Sequence, residues 1–285
     1  DFHLRLKSEL LRKAVLGEAP QGTAVGAASD RSGLPSVAPF LFVRGADNLL
    51  GFLKRAFFAE EVAIYRGKDG TIAHGQLRIG DMALEMGEAH GQFEPNPSAF
   101  HIYVADAEPV YRRALQSGAT SLYEPTDMPY GDREGAVVDP AGNRWFIGAR
   151  KQAEAAQISP VPEGFHTVTP YLTVRRAEEL LEFVKTAFGA VELMRATGSA
   201  GGLHAEVRIG SSVIMLGGYQ ALPRESPATL YLYVPDVDAI YEQAVRAGAT
   251  PVYPPTEQPY GDRNAHVEDP FGNTWYIATR IKDMR

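Results

Sequence analysis

The side chains best spaced for proton transfer in this sequence are His266 and Glu268, two residues apart on a predicted strand. Side chains two apart on a strand lie on the same face, so this imidazole and carboxylate could act as a catalytic acid/base pair. The first half of the chain has Ala136 and Val138 at the equivalent positions. The alternative is an ordinary solvated pair, because a histidine beside a glutamate usually has no catalytic role.

A second group of side chains suits the binding of a flat apolar ligand, because Met and Tyr offer adaptable apolar area with a polar tip. Strand alternation places them on one predicted face in the second half of the chain, and a histidine occupies the corresponding face in the first. These candidate ligand-binding residues are Tyr171, Met215, Tyr231, Tyr233, Tyr276 and His101. Alternatively, they fill a junction between paired domains, since interfaces and pockets are enriched in the same residue types.

The segment Pro-Tyr-Gly-Asp-Arg occurs twice, at residues 129–133 and 259–263. An Asp and an Arg beside a glycine turn could hold an anionic substrate through bidentate contacts. Both halves keep the motif although their other candidate residues differ. We therefore favour a structural role, in which Arg133 and Arg263 pair with a neighbouring carboxylate or carbonyl and fix the loop.

All of these residues belong to a segment that is repeated in the chain. Both copies contain the pattern Asp-Pro-x-Gly-Asn-x-Trp, which begins at Asp139 and again at Asp269. A repeat of this length corresponds to a whole domain, not to a unit of a repeat array. We predict an N-terminal helix and flexible linker at 1–35, domain 1 at 36–151, a second linker at 152–165 and domain 2 at 166–285.

Each copy reads as two successive βαβββ modules, which makes the predicted fold class α+β. Apolar residues at helical spacing predict helices near Asn48–Phe57 and Ala107–Ser117 in the first copy. In the second copy Gly189 is expected to end one helix, and Asp236 to cap the start of the next. The whole chain is therefore predicted to contain four modules.

The composition limits the classes of partner. The chain has 285 residues, 45% of them hydrophobic, and a formal charge of −7, with no concentrated basic face that would favour nucleic acid. It has no cysteine, which excludes disulfides and thiolate zinc sites and fits a cytoplasmic protein. No apolar run approaches the roughly 20 residues needed to span a bilayer, so we expect no membrane partner.

Three segments of the second copy resemble a known family. They are Val-Thr-Pro-Tyr-Leu-Thr-Val from Val168, Tyr-Leu-Tyr-Val-Pro-Asp-Val-Asp from Tyr231, and Asp-Pro-Phe-Gly-Asn-Thr-Trp from Asp269. With the module order, they resemble the vicinal oxygen chelate superfamily, which includes glyoxalase I, bleomycin-resistance proteins and extradiol dioxygenases. The resemblance covers both copies and implies tandem glyoxalase-like domains, whose curved mixed sheets surround clefts.

The resemblance also implies where a metal would lie. In metal-dependent members, four His, Gln or Glu side chains on the cleft face bind one divalent cation. The matching positions are Ala38, Glu85, Ala99 and Phe146 in the first copy, and Thr169, Met215, Thr229 and Tyr276 in the second. Only Glu85 is a plausible ligand, and one carboxylate does not hold a catalytic metal tightly. We therefore expect no cofactor, and we do not expect a dioxygenase.

An alternative keeps a metal at a displaced site. If the strands pair as in the family, His74, Glu85 and His101 could form a 2-His-1-carboxylate site for Ni, Zn, Mn or Fe, which would support a glyoxalase-type lyase or isomerase. A structural hydrogen bond is the other explanation for His74, because the residue recurs as His204.

The function expected from this combination is the binding of a small organic ligand in an aromatic cleft, as in bleomycin-resistance proteins, without the usual metal. A third possibility is a partner-binding or regulatory module that uses the N-terminal helix. Because single domains of this family commonly pair, tandem copies can pair within one chain. We therefore expect a monomer.

Overall fold

The computed structural model of the protein describes residues 35–91, 93–151, 159–198, 201–219, 226–258 and 261–282. The predicted N-terminal helix lies outside these residues. None of the helices in the described ranges has both the length and the apolar character needed to cross a membrane.

The first copy forms two βαβββ modules, as predicted. Module 1 consists of β1 (Val37–Val43), α1 (Ala46–Phe57), β2 (Glu60–Arg66), β3 (Ile72–Ile79) and β4 (Met82–Glu88). Module 2 consists of β5 (Ala99–Tyr103), α2 (Ala107–Gln116), β6 (Thr120–Asp127), β7 (Asp132–Val138) and β8 (Arg144–Arg150).

The second copy repeats this order. Module 3 consists of β9 (Val168–Thr173), α3 (Ala177–Phe188), β10 (Val191–Thr197), β11 (Gly201–Ile209) and β12 (Ser212–Tyr219). Module 4 consists of β13 (Thr229–Tyr233), α4 (Val237–Arg246), β14 (Thr250–Glu257), β15 (Asp262–Glu268) and β16 (Thr274–Arg280). Gly189 follows α3 in the left-handed conformation, and the Asp236 side chain accepts a hydrogen bond from the backbone of Ala239 at the start of α4. Both predicted helix boundaries are therefore confirmed, as is the α+β class.

The strands of the described residues form two eight-stranded mixed sheets, and each sheet combines both copies. Sheet 1 has the order β2-β3-β4-β1-β13-β16-β15-β14 and joins modules 1 and 4. Sheet 2 has the order β10-β11-β12-β9-β5-β8-β7-β6 and joins modules 3 and 2. The joins are antiparallel pairs, β1 with β13 and β9 with β5.

This topology corrects one expectation. The sequence predicts that the four cleft positions of each copy line that copy's own cleft, but each cleft takes two positions from each copy. The strand pattern shows which residues share a face and not which edges pair, so it could not distinguish the two arrangements. The domain boundaries at 36–151 and 166–285 stay predictions, because each sheet takes strands from both ranges.

The helices pack within the copies, on one face of the sheets. One core surrounds α1 and α2 and contains Trp145, and the other surrounds α3 and α4 and contains Trp275. Strand residues of the opposite parity lie on the face without helices, which we call the cleft face. Helices thus pair within a copy, whereas the strand pairs β1–β13 and β9–β5 join the two copies and interlock them.

The Asp-Pro-x-Gly-Asn-x-Trp segment ties each core to its last hairpin. The carboxylate of Asp139 accepts hydrogen bonds from two backbone amides, from Nδ2 of Asn143 and from Nε1 of Trp145. Asp269 makes the same four contacts in the second copy. The motif is therefore a structural element of both hairpins.

Candidate functional site

The cleft face of sheet 2 carries a buried histidine–carboxylate pair. Nε2 of His101 on β5 lies 3.1 Å from Oε2 of Glu134 on β7, and both side chains are more than nine-tenths buried. The strand β8 lies between β5 and β7, and Gly148 stands directly opposite Glu134 in the register. Because Gly148 has no side chain, the imidazole can lie across β8 and reach the carboxylate.

Two tyrosines complete the contacts of this carboxylate. The hydroxyl of Tyr123 donates to Oε1 of Glu134, and the hydroxyl of Tyr130 also hydrogen bonds to Glu134. Burial alone would raise the pKa of the Glu134 carboxyl, but the hydrogen bonds from His101 and the two tyrosines outweigh it and lower this pKa. Glu134 is therefore a buried carboxylate that stays ionised.

A second polar pair lies on the other side of the same face. The hydroxyl of Tyr171 on β9 lies 3.0 Å from Nδ1 of His204 on β11, and Nε2 of His204 lies 3.8 Å from Glu206. Here the ring crosses β12 at Gly217, where an added Cβ would lie 2.8 Å from the tyrosine ring. Both halves of the cleft face thus use a glycine to let a ring cross a strand.

Aromatic rings connect the two pairs. Phe146 and Tyr171 have ring centroids 5.4 Å apart, and Tyr103 lies 4.3 Å from His101 and 5.6 Å from Phe165. The rings of Phe146, Tyr171 and Phe165 remain partly exposed. This face therefore offers accessible ring surface beside buried polar atoms, an arrangement suited to a small organic ligand.

The cleft face of sheet 1 is packed differently. His74 and Glu85 form a buried pair with Nε2 and Oε2 3.2 Å apart. The rings beside them pack on one another: Tyr231 stacks on Tyr276 at 4.9 Å, and these two are only 2% and 4% exposed. With Phe40 they belong to a compact aromatic cluster. Side chains of the protein therefore occupy much of this cleft.

The predicted ligand-binding residues are divided between the two sheets. Tyr171, Met215 and His101 lie on the cleft face of sheet 2. Tyr231, Tyr233 and Tyr276 lie on that of sheet 1. The expectation that the second copy's aromatic residues line one common face is wrong, because β9 and β12 belong to one sheet and β13 and β16 to the other.

The displaced metal site is not formed. His74 and Glu85 lie in sheet 1, whereas His101 lies in sheet 2 and contacts Glu134. Across the described ranges, no group of three or more His, Asp or Glu side chains could hold a metal ion. Within those ranges the role supported for His74 is the hydrogen bond to Glu85.

The positions at which the resemblance places metal ligands are also divided between the sheets differently from the sequence-based expectation. They become Ala38, Glu85, Thr229 and Tyr276 in sheet 1, and Thr169, Met215, Ala99 and Phe146 in sheet 2. Sheet 1 offers a single carboxylate at these positions, and sheet 2 offers no carboxylate or imidazole. These residues do not fit a catalytic divalent cation, which needs about three protein ligands.

His266 and Glu268 do not form the acid/base pair considered above. His266 stacks on Tyr276 at 4.4 Å, and Glu268 is exposed at the end of β15. Burial lowers the pKa of His266 to about 4, so its imidazole is neutral near pH 7. No hydrogen bond or ion pair between these two described side chains supports proton transfer.

The Pro-Tyr-Gly-Asp-Arg turns have the structural role that the sequence favours. Arg133 binds Glu108 in the first turn of α2 and Asp127 on β6. Arg263 makes two hydrogen bonds of 2.7 Å to Asp238, the residue of α4 equivalent to Glu108. Each arginine thus ties the start of a strand to the start of a helix.

Sequence reasoning missed the two carboxylates of the sheet 2 cleft, Glu134 and Glu206. A comparison of the copies contained the signal, because the equivalent positions carry the amides Asn264 and Gln76. A carboxylate in one copy and an uncharged amide in the other, both facing a cleft, marks a place where the two clefts differ in charge.

A cavity of about 550 Å³ lies at the end of β11 and β12, where its lining includes Arg175, Arg195 and Tyr219. Much of the remaining lining is small residues such as Gly201, and Arg195 is already held by Glu192 through two hydrogen bonds. We place the candidate site on the neighbouring cleft face, where aromatic and buried polar groups converge.

Several proteins are similar to this chain. An uncharacterized protein of Mycobacterium tuberculosis is 37% identical over 156 residues, which cover 50% of this chain and 89% of that protein. An uncharacterized protein of Mycobacterium bovis is 37% identical over 129 residues, covering 41% and 85%.

Solved structures share the fold at low identity. A glyoxalase I mutant from Zea mays superposes with a TM-score of 0.67 at 16% identity, covering 86% of this chain and 94% of that chain. A putative dioxygenase from Bacillus subtilis gives a TM-score of 0.57 at 13% identity, covering 85% and 84%. The family model described as the Glyoxalase/Bleomycin resistance protein/Dioxygenase superfamily matches residues 33–147 and 164–277. The chain therefore belongs to the Glyoxalase/Bleomycin resistance protein/Dioxygenase superfamily.

Proposed function

We propose that the cleft of sheet 2 binds a small organic ligand without a metal ion. The observation that carries this proposal is that partly exposed rings lie beside buried polar groups on this face. The positions at which the family resemblance places metal ligands are occupied there by Thr169, Met215, Ala99 and Phe146. Tyr171 and Phe146 would contact the flat part of the ligand. The polar atoms of His101 and His204 would orient it.

The cleft of sheet 1 serves mainly to join modules 1 and 4 in this proposal. Tyr231 and Tyr276 are almost fully buried against each other, so a ligand would first have to separate them. In this proposal the aromatic residues of sheet 2 bind a ligand, whereas those of sheet 1 pack the junction between modules.

A thermal-shift screen of aromatic antibiotics, thiols, short-chain aldehydes and divalent metals tests the proposal. We expect an aromatic ligand to raise the melting temperature of protein treated with a chelator. The variant Tyr171→Ala should lose this shift, whereas Tyr276→Ala, which makes the same tyrosine-to-alanine change in sheet 1, should keep it although the protein is less stable. Failure of all aromatic ligands, or equal loss in both variants, would contradict the proposal.

Metal analysis tests the alternative of a metal-dependent lyase or isomerase. Near-stoichiometric Ni, Zn, Mn or Fe in the purified protein, lost in Glu85→Ala, would replace our proposal with that enzyme. We expect metal contents well below one per chain in both proteins.

We also propose that the protein is a monomer. The pairs β1 with β13 and β9 with β5 join the modules within one chain, so no second chain is needed to complete either sheet. Light scattering after size-exclusion chromatography should give a mass near 31.0 kDa. A dimer mass would contradict this.

A further inference from the structure

The two clefts differ most clearly in the placement of charge. Sheet 2 has Glu134 and Glu206 on its cleft face, where sheet 1 has the uncharged amides of Asn264 and Gln76. The two carboxylates lie on opposite sides of the cleft centre, since β7 and β11 are separated by β8, β5, β9 and β12. A ligand above the central strands would therefore lie between two negative charges.

The same cleft also contains a buried nitrogen with no hydrogen-bond partner among the described residues. Nε2 of His101 contacts the Glu134 carboxylate, which can only accept, so Nε2 carries the hydrogen. In the neutral ring Nδ1 is then an acceptor. Within the described part of the chain this Nδ1 atom has no hydrogen-bond partner, and it is shielded from water because His101 is only 6% exposed. A buried polar atom without a partner is costly, and a ligand N–H group would supply one.

We propose that the cleft of sheet 2 selects organic cations that have a flat apolar body and an N–H donor, such as an arylalkyl ammonium ion. This inference rests on the proposed function and specifies its ligand class. The rings of Tyr171 and Phe146 would pack on the apolar body. The cationic group would lie between the carboxylates, with its N–H group available to Nδ1 of His101.

The electrostatics of the cleft agree with this ligand class. Burial raises the pKa of Tyr103 and of Tyr171, and the charges of Glu134 and Glu206 raise both further. Both carboxylates therefore act on the same central rings. Tyrosine faces attract cations, and this attraction increases where water is excluded.

Other charged side chains lie on the same face: Arg144 pairs with Ala99 beside Phe146, and Arg208 follows Glu206 by two residues on β11. Asp132 is half-buried at the start of β7, and burial raises its pKa, while the positive charge of Arg150 acts in the opposite direction. Arg144 acts on Tyr219 at the edge of the cleft. The carboxylates of Glu134 and Glu206 act on the central rings from either side, and the guanidinium of Arg208 hydrogen bonds to the carbonyl of Gly210 at the hairpin.

Four probes with the same ring test the proposal on the full chain: benzylamine, benzyltrimethylammonium, benzyl alcohol and benzoate. Their affinities at pH 7 can be measured by NMR titration. We expect the protonated amine to bind about tenfold more tightly than the alcohol, a typical effect of charge complementarity. Benzyltrimethylammonium, which keeps the charge but has no N–H, should be intermediate, and benzoate weakest. The shifted resonances should include His101 and Tyr171.

The variant Glu206→Gln gives the sharpest control, because Gln76 shows that an amide is tolerated at the equivalent position. We expect the preference for the amine over the alcohol to fall several-fold, while the affinity for the alcohol stays unchanged. The same glutamate-to-glutamine change on the cleft face of sheet 1, Glu85→Gln, should leave both affinities unchanged. Circular dichroism verifies that both variants fold.

The outcomes separate this inference from the proposed function. Equal binding of amine and alcohol, tighter binding of benzoate, or unchanged selectivity in Glu206→Gln would overturn the cation preference while leaving a ligand-binding cleft. Resonance shifts confined to sheet 1 would overturn both. The absence of binding by all four probes, together with a negative aromatic screen, would also overturn both.

Discussion

His101 and Glu134 form their hydrogen bond across an intervening strand, and Gly148 is what makes this possible. A Cβ atom built at Gly148 would lie 2.6 Å from Cε1 and 2.7 Å from Nε2 of the imidazole, closer than nonbonded carbon atoms approach. Sheet 1 has Ala278 at the equivalent position and Tyr231 in place of the histidine. The glycine and the histidine therefore function as a pair.

This relationship predicts that Gly148→Ala lowers the free energy of unfolding. The new methyl group displaces the ring from Glu134 and removes a charged hydrogen bond worth about 1.5 to 3 kcal/mol. A strand interior gains about 0.5 to 1 kcal/mol from replacing glycine by alanine. Urea unfolding at pH 7 should therefore show a net loss of roughly 1 to 2 kcal/mol.

The variant His101→Ala provides the control for this change. Without the imidazole, adding the methyl group at Gly148 meets no ring and should be neutral or stabilising. A double-mutant cycle measures the coupling between the two positions directly. If Gly148→Ala costs the same with and without His101, the glycine has no role in positioning the ring.

The sequence predicted the local structure well and the assembly of the sheets poorly. Strand alternation placed His74 and Gln76 on one face, as observed, and the apolar spacing gave the helices to within about two residues. The pairing of β1 with β13 depends on contacts between residues almost 200 positions apart, such as Val37 with Leu232. Periodicity contains no information about such pairings.

The candidate site was only partly predictable for the same reason. The sequence identified His101 and Tyr171 as cleft residues but not their partners Glu134 and His204. Each of these contacts crosses an intervening strand and requires a glycine at the crossing point. That Gly148 and Gly217 let rings cross a strand is visible only once the register is known. At both sites the local signal was a glycine at a cleft-face position of one strand, paired with a polar residue on the neighbouring strand.

The interlocked topology predicts that the two copies unfold together. The chain has two tryptophans, one in each core, and both are completely buried. Trp145→Phe and Trp275→Phe each leave one fluorescent reporter. Because unfolding one copy breaks both sheets, fluorescence and circular dichroism should give the same urea midpoint in each variant. A fluorescence transition that precedes the dichroism change would show that one copy unfolds by itself.

The residues that end α1 and α3 have positive φ, so we expect glycine to be more stable than alanine at both positions. Phe58 has a φ of 56°, where the second copy has Gly189 at 64°. A residue with a Cβ pays roughly 1 kcal/mol in this conformation. Phe58 offsets part of it through Arg113, whose guanidinium lies 4.1 Å from the ring centroid.

Phe58→Gly should therefore be neutral or stabilising, and Phe58→Ala should be less stable than Phe58→Gly by about 1 kcal/mol. Gly189→Ala should lose a similar amount in the other copy. Thermal and urea unfolding of the three variants measures these differences. Equal stability of Phe58→Ala and Phe58→Gly would contradict the assignment of strain to this residue.

The partly buried imidazole of His266 predicts a loss of stability in weak acid. Its pKa is about 4 in the folded protein because burial disfavours the charged form, and about 6.5 in the unfolded chain. Between these values only the unfolded chain binds the proton, so stability decreases as the pH falls from 7 toward 4, by up to about 3 kcal/mol. Urea unfolding at pH 7.5 and pH 5 should show the decrease. His266→Ala, which introduces the residue present at the equivalent position 136, should reduce it; an unchanged pH dependence would show that His266 is not the group responsible.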